Sequence, residues 1–218
     1  MKKYDIILFD LDGTLCETGE GIRNSIRHTL AAMGKPIPEE ETLRRFIGPP
    51  LRDSFREYCR MTETEIDEGV RLFRARYDSI GWMETKLYPG IRELLRKLSD
   101  CGVRVATATS KPEHAARRII AHFGIDRYFD EIVGSLPDSR TTKKELIPYA
   151  VSLCGGKKGD CVLMVGDTRF DAHGAKETGV DFVGVLWGYG TQAEMQNEGA
   201  EHFVKDAVEL ERFLELYN

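Results

Sequence analysis

Residues 6–14 read Ile6-Ile7-Leu8-Phe9-Asp10-Leu11-Asp12-Gly13-Thr14. Four apolar side chains in succession suit a strand buried on both faces of a parallel sheet. Two carboxylates follow at once. Acids held this close repel each other and lose hydration, so something nearby has to compensate them. A bound cation would do so. A polar turn is the other reading, since Asp and Gly are ordinary turn residues.

Outward from this stretch, short apolar runs recur at residues 103–106, 131–133, 162–165 and 182–185, and the run at 162–165 is apolar throughout. Helical patterns at 91–100, 113–123, 144–154 and 171–178 separate most of them. This order predicts an α/β fold: a Rossmann-like parallel sheet core with helices on both faces. The first run breaks the rhythm, because the interval to residue 103 is far longer than one crossover needs. Within it Ile22, Ile26, Thr29 and Leu30 fall at helical spacing, as do Phe55, Tyr58 and Cys59, then Val70, Phe73 and Tyr77. An inserted α-helical cap domain is therefore expected at 17–84, with the core built from 1–16 and 85–218. Tyr88-Pro89-Gly90 would return the chain to that core.

Composition narrows the function. Hydrophobic residues make up 41% and charged residues 31% of the 218, as in a soluble globular protein. A net charge of -5 disfavours a nucleic-acid partner. The basic stretch 111–118 is interrupted by Glu113 and suits a solvated helix face. The five cysteines lack C-x-x-C spacing and are expected to be reduced thiols in a cytoplasmic protein. The first apolar run is too short for a signal peptide, and none has membrane-spanning length.

In an open parallel sheet, ligands bind beyond the carboxyl ends of the strands. Three such ends carry polar chemistry: Asp10 to Thr14, then Thr107-Ala108-Thr109-Ser110-Lys111, then Gly166-Asp167-Thr168-Arg169-Phe170-Asp171. Each alone could be turn or capping chemistry. Together, carboxylates suit a hard cation such as Mg2+, and hydroxyls, backbone N–H groups and a lysine suit a phosphoryl group. With the anionic barrier so removed, a carboxylate can act as nucleophile.

Asp10-x-Asp12-Gly13-Thr14, a strand ending in Thr109-Ser110-Lys111, a later lysine and Gly166-Asp167-x-x-x-Asp171 resemble, in order, the four motifs of the haloacid dehalogenase superfamily. The likeness spans almost the whole chain. Within the superfamily the chain looks most like phosphoglycolate phosphatase-like enzymes with a helical cap, and Gly48-Pro49-Pro50-Leu51 is similar to a segment common in that group. The resemblance implies a Mg2+-dependent phosphatase acting on a small phosphorylated metabolite through an aspartyl-phosphate. Asp10 would be nucleophile and metal ligand. Asp12 would serve as acid and then base, its carbonyl also on the metal. Thr109 and Ser110 would hold the phosphoryl group near Gly13 and Thr14. Asp167 would bind Mg2+, and Asp171 would support its waters.

The third-motif lysine is Lys143 or Lys144. Lys143 lies three, four and seven residues before Leu146, Ile147 and Ala150, on the face meeting the core, and is therefore the expected one. Pro148 suggests an irregular helix start. His28, His114, His122, His173 and His202 have no ligand-like spacing. Glu17 and Thr18 suit either substrate contact or capping of the first cap helix.

Rival readings differ at single residues. Haloacid dehalogenases lack the second acid, here Asp12. β-Phosphoglucomutase-like enzymes carry Gly-x-Ser-Arg where this chain has Gly48-Pro49-Pro50-Leu51. Transport ATPases need membrane helices. A phospho-accepting signalling module would have neither Asp12 nor the insertion. A 5'-nucleotidase or pyrophosphatase of the same superfamily is the main alternative.

Overall fold

The computed structural model describes residues 4–136 and 139–215. The chain divides into two compact units, one of Met1–Cys16 with Leu87–Asn218 and one of Glu17–Lys86.

In the first unit β1 (Ile6–Phe9) lies in the middle of a six-stranded sheet. Its other strands are β4 (Arg104–Pro112), β5 (Glu131–Ser135), β6 (Val162–Gly166), β7 (Asp181–Val185) and β8 (Phe203–Val204). The order is β5-β4-β1-β6-β7-β8, and every adjacent pair is parallel. Two short strands, β2 (Cys16–Glu17) and β3 (Lys86–Leu87), pair with each other. The helices around the sheet are α5 (Ile91–Asp100), α6 (Glu113–His122), α7 (Lys143–Leu153), α8 (Arg169–Thr178), α9 (Gln192–Asn197) and α10 (Ala207–Phe213). This is the Rossmann-like α/β architecture expected.

Alternation along β1 explains why it is central. Ile6 and Leu8 join Ala106, Ala108, Val133 and Met164 against Leu146, Ile147 and Ala150 of α7. Ile7 and Phe9 point to the opposite face and are equally buried, so both faces of the strand are covered. Helix α5 buries Ile91, Leu94, Leu95 and Leu98, a single stripe at helical spacing.

Several boundaries differ from expectation. β4 does not end at residue 106 but runs on to Pro112. Thr107 can stay inside it because its hydroxyl donates to the Val133 carbonyl at 2.9 Å and accepts from the Val133 N–H at 2.8 Å. Basic residues 111–118 are not one solvated helix face: Lys111 belongs to β4 and is buried, while Ala115 and Ala116 turn into the core. Helix α7 begins at Lys143 and passes through Pro148. β8 was not expected at all.

The second unit contains α1 (Gly19–Ala32), α2 (Glu40–Arg44), α3 (Leu51–Cys59), α4 (Glu63–Ser79) and a 3-10 turn over Gly81–Glu84. Ile22, Ile26, Thr29 and Leu30 share the buried stripe of α1. Gly21 lets that helix meet the turn closely, since a Cβ there would sit 2.0 Å from the Gly81 carbonyl oxygen. Arg76 bridges to Glu84 at 2.9 Å and to the Ser25 hydroxyl at 3.0 Å. Phe55 is fully buried, edge-on to Phe46 with centroids 5.6 Å apart. Phe55→Ala should cost this unit about 3–5 kcal/mol, read as a lower urea midpoint. An unchanged midpoint would mean that the ring does not hold the unit together.

Candidate active site

β4, β1 and β6 are neighbours in register, with Phe9 paired to Thr107 on one side and Val165 on the other. The chain leaves all three strands at one edge, which is why residues far apart in sequence converge there. The Asp10 N–H donates to the Val165 carbonyl at 2.9 Å, fixing the first carboxylate beside β6.

Asp10, Asp167 and Asp171 form a buried cluster whose carboxylate oxygens lie within 4.8 Å of one another. Lys143, at the first position of α7, places its ammonium 2.8 Å from Asp10 Oδ1 and 2.5 Å from Asp171 Oδ1. It also donates to the Ala108 carbonyl at 2.7 Å. Lys144 points outward and pairs with Glu177 at 2.9 Å. Gly174 makes room for Lys143, since a Cβ there would fall 2.3 Å from the lysine Cβ. Asp171 has two roles: Oδ1 faces Lys143, while Oδ2 accepts from the Thr168 N–H at 3.0 Å and hydroxyl at 2.7 Å, securing the start of α8.

Asp12 stands apart from this cluster. Lys111 grips both its oxygens, at 3.0 and 3.2 Å. The pairing with β5 jumps from Thr109–Gly134 to Pro112–Ser135, and this bulge in β4 contains Ser110 and Lys111. Bulges re-aim side chains. Thr109 is buried and its hydroxyl accepts from the Lys111 N–H at 3.2 Å; Ser110 is half-buried beside it. Thr14 is buried and donates to Asp167 Oδ1 at 3.1 Å. Gly13 turns the loop with φ of +83° and lies so close to Asp167 that a Cβ would come within 2.1 Å of Oδ2. Thr18 is the residue before α1 but makes no side-chain cap there. All five histidines are exposed.

Electrostatics follow from burial. Desolvation, opposed by Lys143 and reinforced by Asp171 and Asp12, pushes the Asp10 carboxyl up to about 6. Desolvation also pushes Asp167 well above the usual carboxylate range, helped by Asp171 and Asp10. Burial works against the charge on Lys143, but Asp10 and Asp171 outweigh it and hold the ammonium protonated. Three carboxylates against one ammonium leave a deficit of two positive charges, since Lys111 is matched by Asp12. An all-oxygen donor set with that deficit fits a hard divalent cation.

Sequence reasoning placed Lys111 at this edge without giving it a role, and did not single out Trp187, Gly188 or Tyr189 as site residues. The Tyr189 N–H donates to Asp167 Oδ2 at 2.8 Å, and the Trp187 indole N–H to the Thr14 carbonyl at 3.0 Å. A glycine-rich run just past the end of β7 was the available signal.

A family model described as haloacid dehalogenase-like hydrolase matches residues 7–185, a span that includes every residue of the cluster. A 5'-nucleotidase of Pseudomonas aeruginosa is 39% identical over 214 residues, 98% of this chain and 96% of that protein. The tyrosine-protein kinase PtkA of Mycobacterium tuberculosis is 40% identical over 186 residues, 85% of this chain but 63% of its own length. The crystal structure of a predicted phosphatase from Clostridium acetobutylicum has a TM-score of 0.89 and 37% identity, covering 97% of this chain and 99% of that one.

Proposed function

Because this chain belongs to the haloacid dehalogenase-like hydrolase family, we propose that it is a Mg2+-dependent phosphatase that cleaves a small phosphate monoester through an aspartyl-phosphate on Asp10. The observation that carries this reading is the buried Asp10–Asp167–Asp171 cluster with a single lysine against it. Asp10, Asp167 and the Asp12 carbonyl would hold the cation, with Asp171 behind its waters. When bound, it supplies the positive charge that lets a carboxylate approach a phosphate dianion.

The residues then divide the reaction between them. Asp10 attacks phosphorus while Asp12 gives a proton to the departing ester oxygen, so the P–O bond breaks as the Asp10–phosphorus bond forms. Asp12 next takes a proton from water, which attacks the phosphoenzyme and returns Asp10 with inorganic phosphate. Thr109 and Ser110 hold the phosphoryl oxygens through a hydroxyl and a backbone N–H. Lys143 fixes Asp10 and keeps it ionised. The unit Glu17–Lys86 acts as the cap that selects the substrate. No helix among the described residues is long and apolar enough to cross a membrane.

The resemblance of the 48–51 segment points to phosphoglycolate. A nucleoside 5'-monophosphate is the second reading, favoured by the near-full-length match to a 5'-nucleotidase. Phosphate release over a panel containing both, a sugar phosphate and pyrophosphate should show one preferred ester. Chelator should abolish turnover, Mg2+ should restore it, and excess Ca2+ should inhibit because its looser, higher coordination can engage both Asp10 oxygens. Full activity of metal-free protein would remove the basis for the cation site. Phosphate handed to a protein tyrosine instead of water would point to the activity named for the PtkA relative.

A further inference from the structure

We infer that the turn Trp187-Gly188-Tyr189-Gly190 is a clamp that orients Asp167 for a divalent cation, and that Gly188 is a positioning residue whose lack of a side chain this site requires. The inference rests on the cation-site reading above. Asp167 is wholly buried, and each of its oxygens is held from a different element. Oδ1 accepts from the Thr14 hydroxyl at 3.1 Å and Oδ2 from the Tyr189 N–H at 2.8 Å. The turn also holds Thr14, through the Trp187 indole and the Thr14 carbonyl at 3.0 Å. Thr14, Asp167, Tyr189 and Trp187 thus close a ring across three loops, those that follow β1, β6 and β7.

Space within this ring is minimal. A Cβ on Gly188 would lie 2.3 Å from Asp167 Oδ2 and 2.4 Å from Asp167 Cβ, and one on Gly190 would lie 2.2 Å from the Asp167 carbonyl oxygen. Gly13 needs glycine for its positive φ as well as for room, but neither Gly188 nor Gly190 has a left-handed backbone. What excludes a side chain at Gly188 is therefore the carboxylate itself. A carboxylate has about four lone-pair directions, and fixing two of them sets where the others point. One Asp167 oxygen lies within 4.8 Å of an oxygen of Asp10 and one of Asp171, so the clamped carboxylate is part of the cluster. Groups that orient a metal ligand typically contribute ten- to a hundredfold in metal affinity.

The test is calorimetric titration of the metal-free full chain with MgCl2, alongside a urea midpoint for each variant. Gly188→Ala is expected to weaken Mg2+ binding about ten- to a hundredfold while remaining folded. Its kcat should recover when Mg2+ is raised to saturation. Gly184→Ala is the comparator, since its Cβ would press on Phe203 and Met195, away from the cluster. It should lower the urea midpoint and leave the Mg2+ Kd unchanged. A wild-type Kd in Gly188→Ala, or an equal weakening in Gly184→Ala, overturns the clamp. If Gly188→Ala does not fold, Trp187→Phe decides, and an unchanged Kd in that variant overturns it too. Failure of the underlying reading looks different: wild type would bind no Mg2+, or Asp167→Asn would bind it as tightly as wild type.

Discussion

Asp10→Asn should form no covalent phosphoenzyme, whereas Asp12→Asn should accumulate one. A neutral amide is a poor nucleophile and a weaker cation ligand, so the Asp10 variant should lose turnover altogether. Loss of proton transfer in Asp12→Asn should cost roughly a hundred- to ten-thousandfold. An aryl phosphate needs little help for its leaving group, so the attack by Asp10 survives in Asp12→Asn and hydrolysis of the phosphoenzyme becomes limiting. Acid quenching followed by intact mass should find one added phosphoryl group in Asp12→Asn and none in Asp10→Asn. The opposite pattern reverses the two roles. Stability gives an independent readout. Asp10 is pushed from an ordinary 3.8 up to about 6, chiefly by desolvation. A carboxyl raised in the folded state contributes stability that is fully present below 3.8 and lost as pH rises through about 6. In metal-free protein, Asp10→Asn should therefore be more stable than wild type at pH 7 to 8, by up to a few kcal/mol. That advantage should shrink as pH falls through 6 toward 4. An advantage that grows on acidification would contradict the burial argument.

Lys143→Met should be the most damaging single change at the site after the loss of Asp10. It leaves Asp10, Asp167 and Asp171 buried without a cation of the protein's own. Removing one partner of a buried ion pair costs about 3–5 kcal/mol, and loss of one electrostatic stabiliser costs about a hundred- to a thousandfold in kcat. Because Asp10 and Asp171 raise its pKa, the stability Lys143 contributes is fully present at neutral pH and is lost only in strong alkali. The deficit in Lys143→Met should be largest near pH 8 and should narrow both on acidification toward pH 5, as carboxylates protonate, and on adding Mg2+. Lys143→Arg should rescue little, because Gly174 packs against the base of the side chain and a planar guanidinium needs a different berth. Lys144→Met removes only an exposed pair with Glu177 and should change the urea midpoint by less than about 0.5 kcal/mol. If Lys144→Met proves the more harmful of the two, the lysine assignment is wrong.

How much of this was legible in the sequence depended on the range of the forces involved. The strand at residues 6–9 and helix α5 are local patterns, one a solid apolar run and one a stripe at helical spacing, and both appear with those boundaries. The phase of Lys143 relative to Leu146, Ile147 and Ala150 was local too, and that lysine is the one turned inward. β4 was cut short because Thr107, Thr109 and Lys111 look like surface residues. Thr107 is satisfied by Val133 and the Lys111 ammonium by Asp12, partners that no local pattern reveals. Lys111 and Asp12 lie 99 positions apart. β8 contributes only two residues, Phe203 and Val204, behind the exposed Glu201 and His202, so it gives no periodic signal.

The central place of β1 has a consequence for how the chain is made. Its two neighbours in the sheet are β4 and β6, and the bond from Thr14 to Asp167 spans 153 positions. At about 5–20 residues per second, a ribosome takes roughly ten to thirty seconds to cover that interval. Throughout it one side of β1 has no partner strand, an open apolar edge of the kind that invites pairing with another chain. The unit Glu17–Lys86 is continuous in sequence and can pack on its own contacts in the meantime. The cluster cannot, because Asp167 and Asp171 lie far along the sequence from Asp10. On the proposed reading, a growing chain that has made Asp10 lacks the cation cluster until Asp167 and Asp171 follow it, so the proposed chemistry waits on the folding of β6 beside β1.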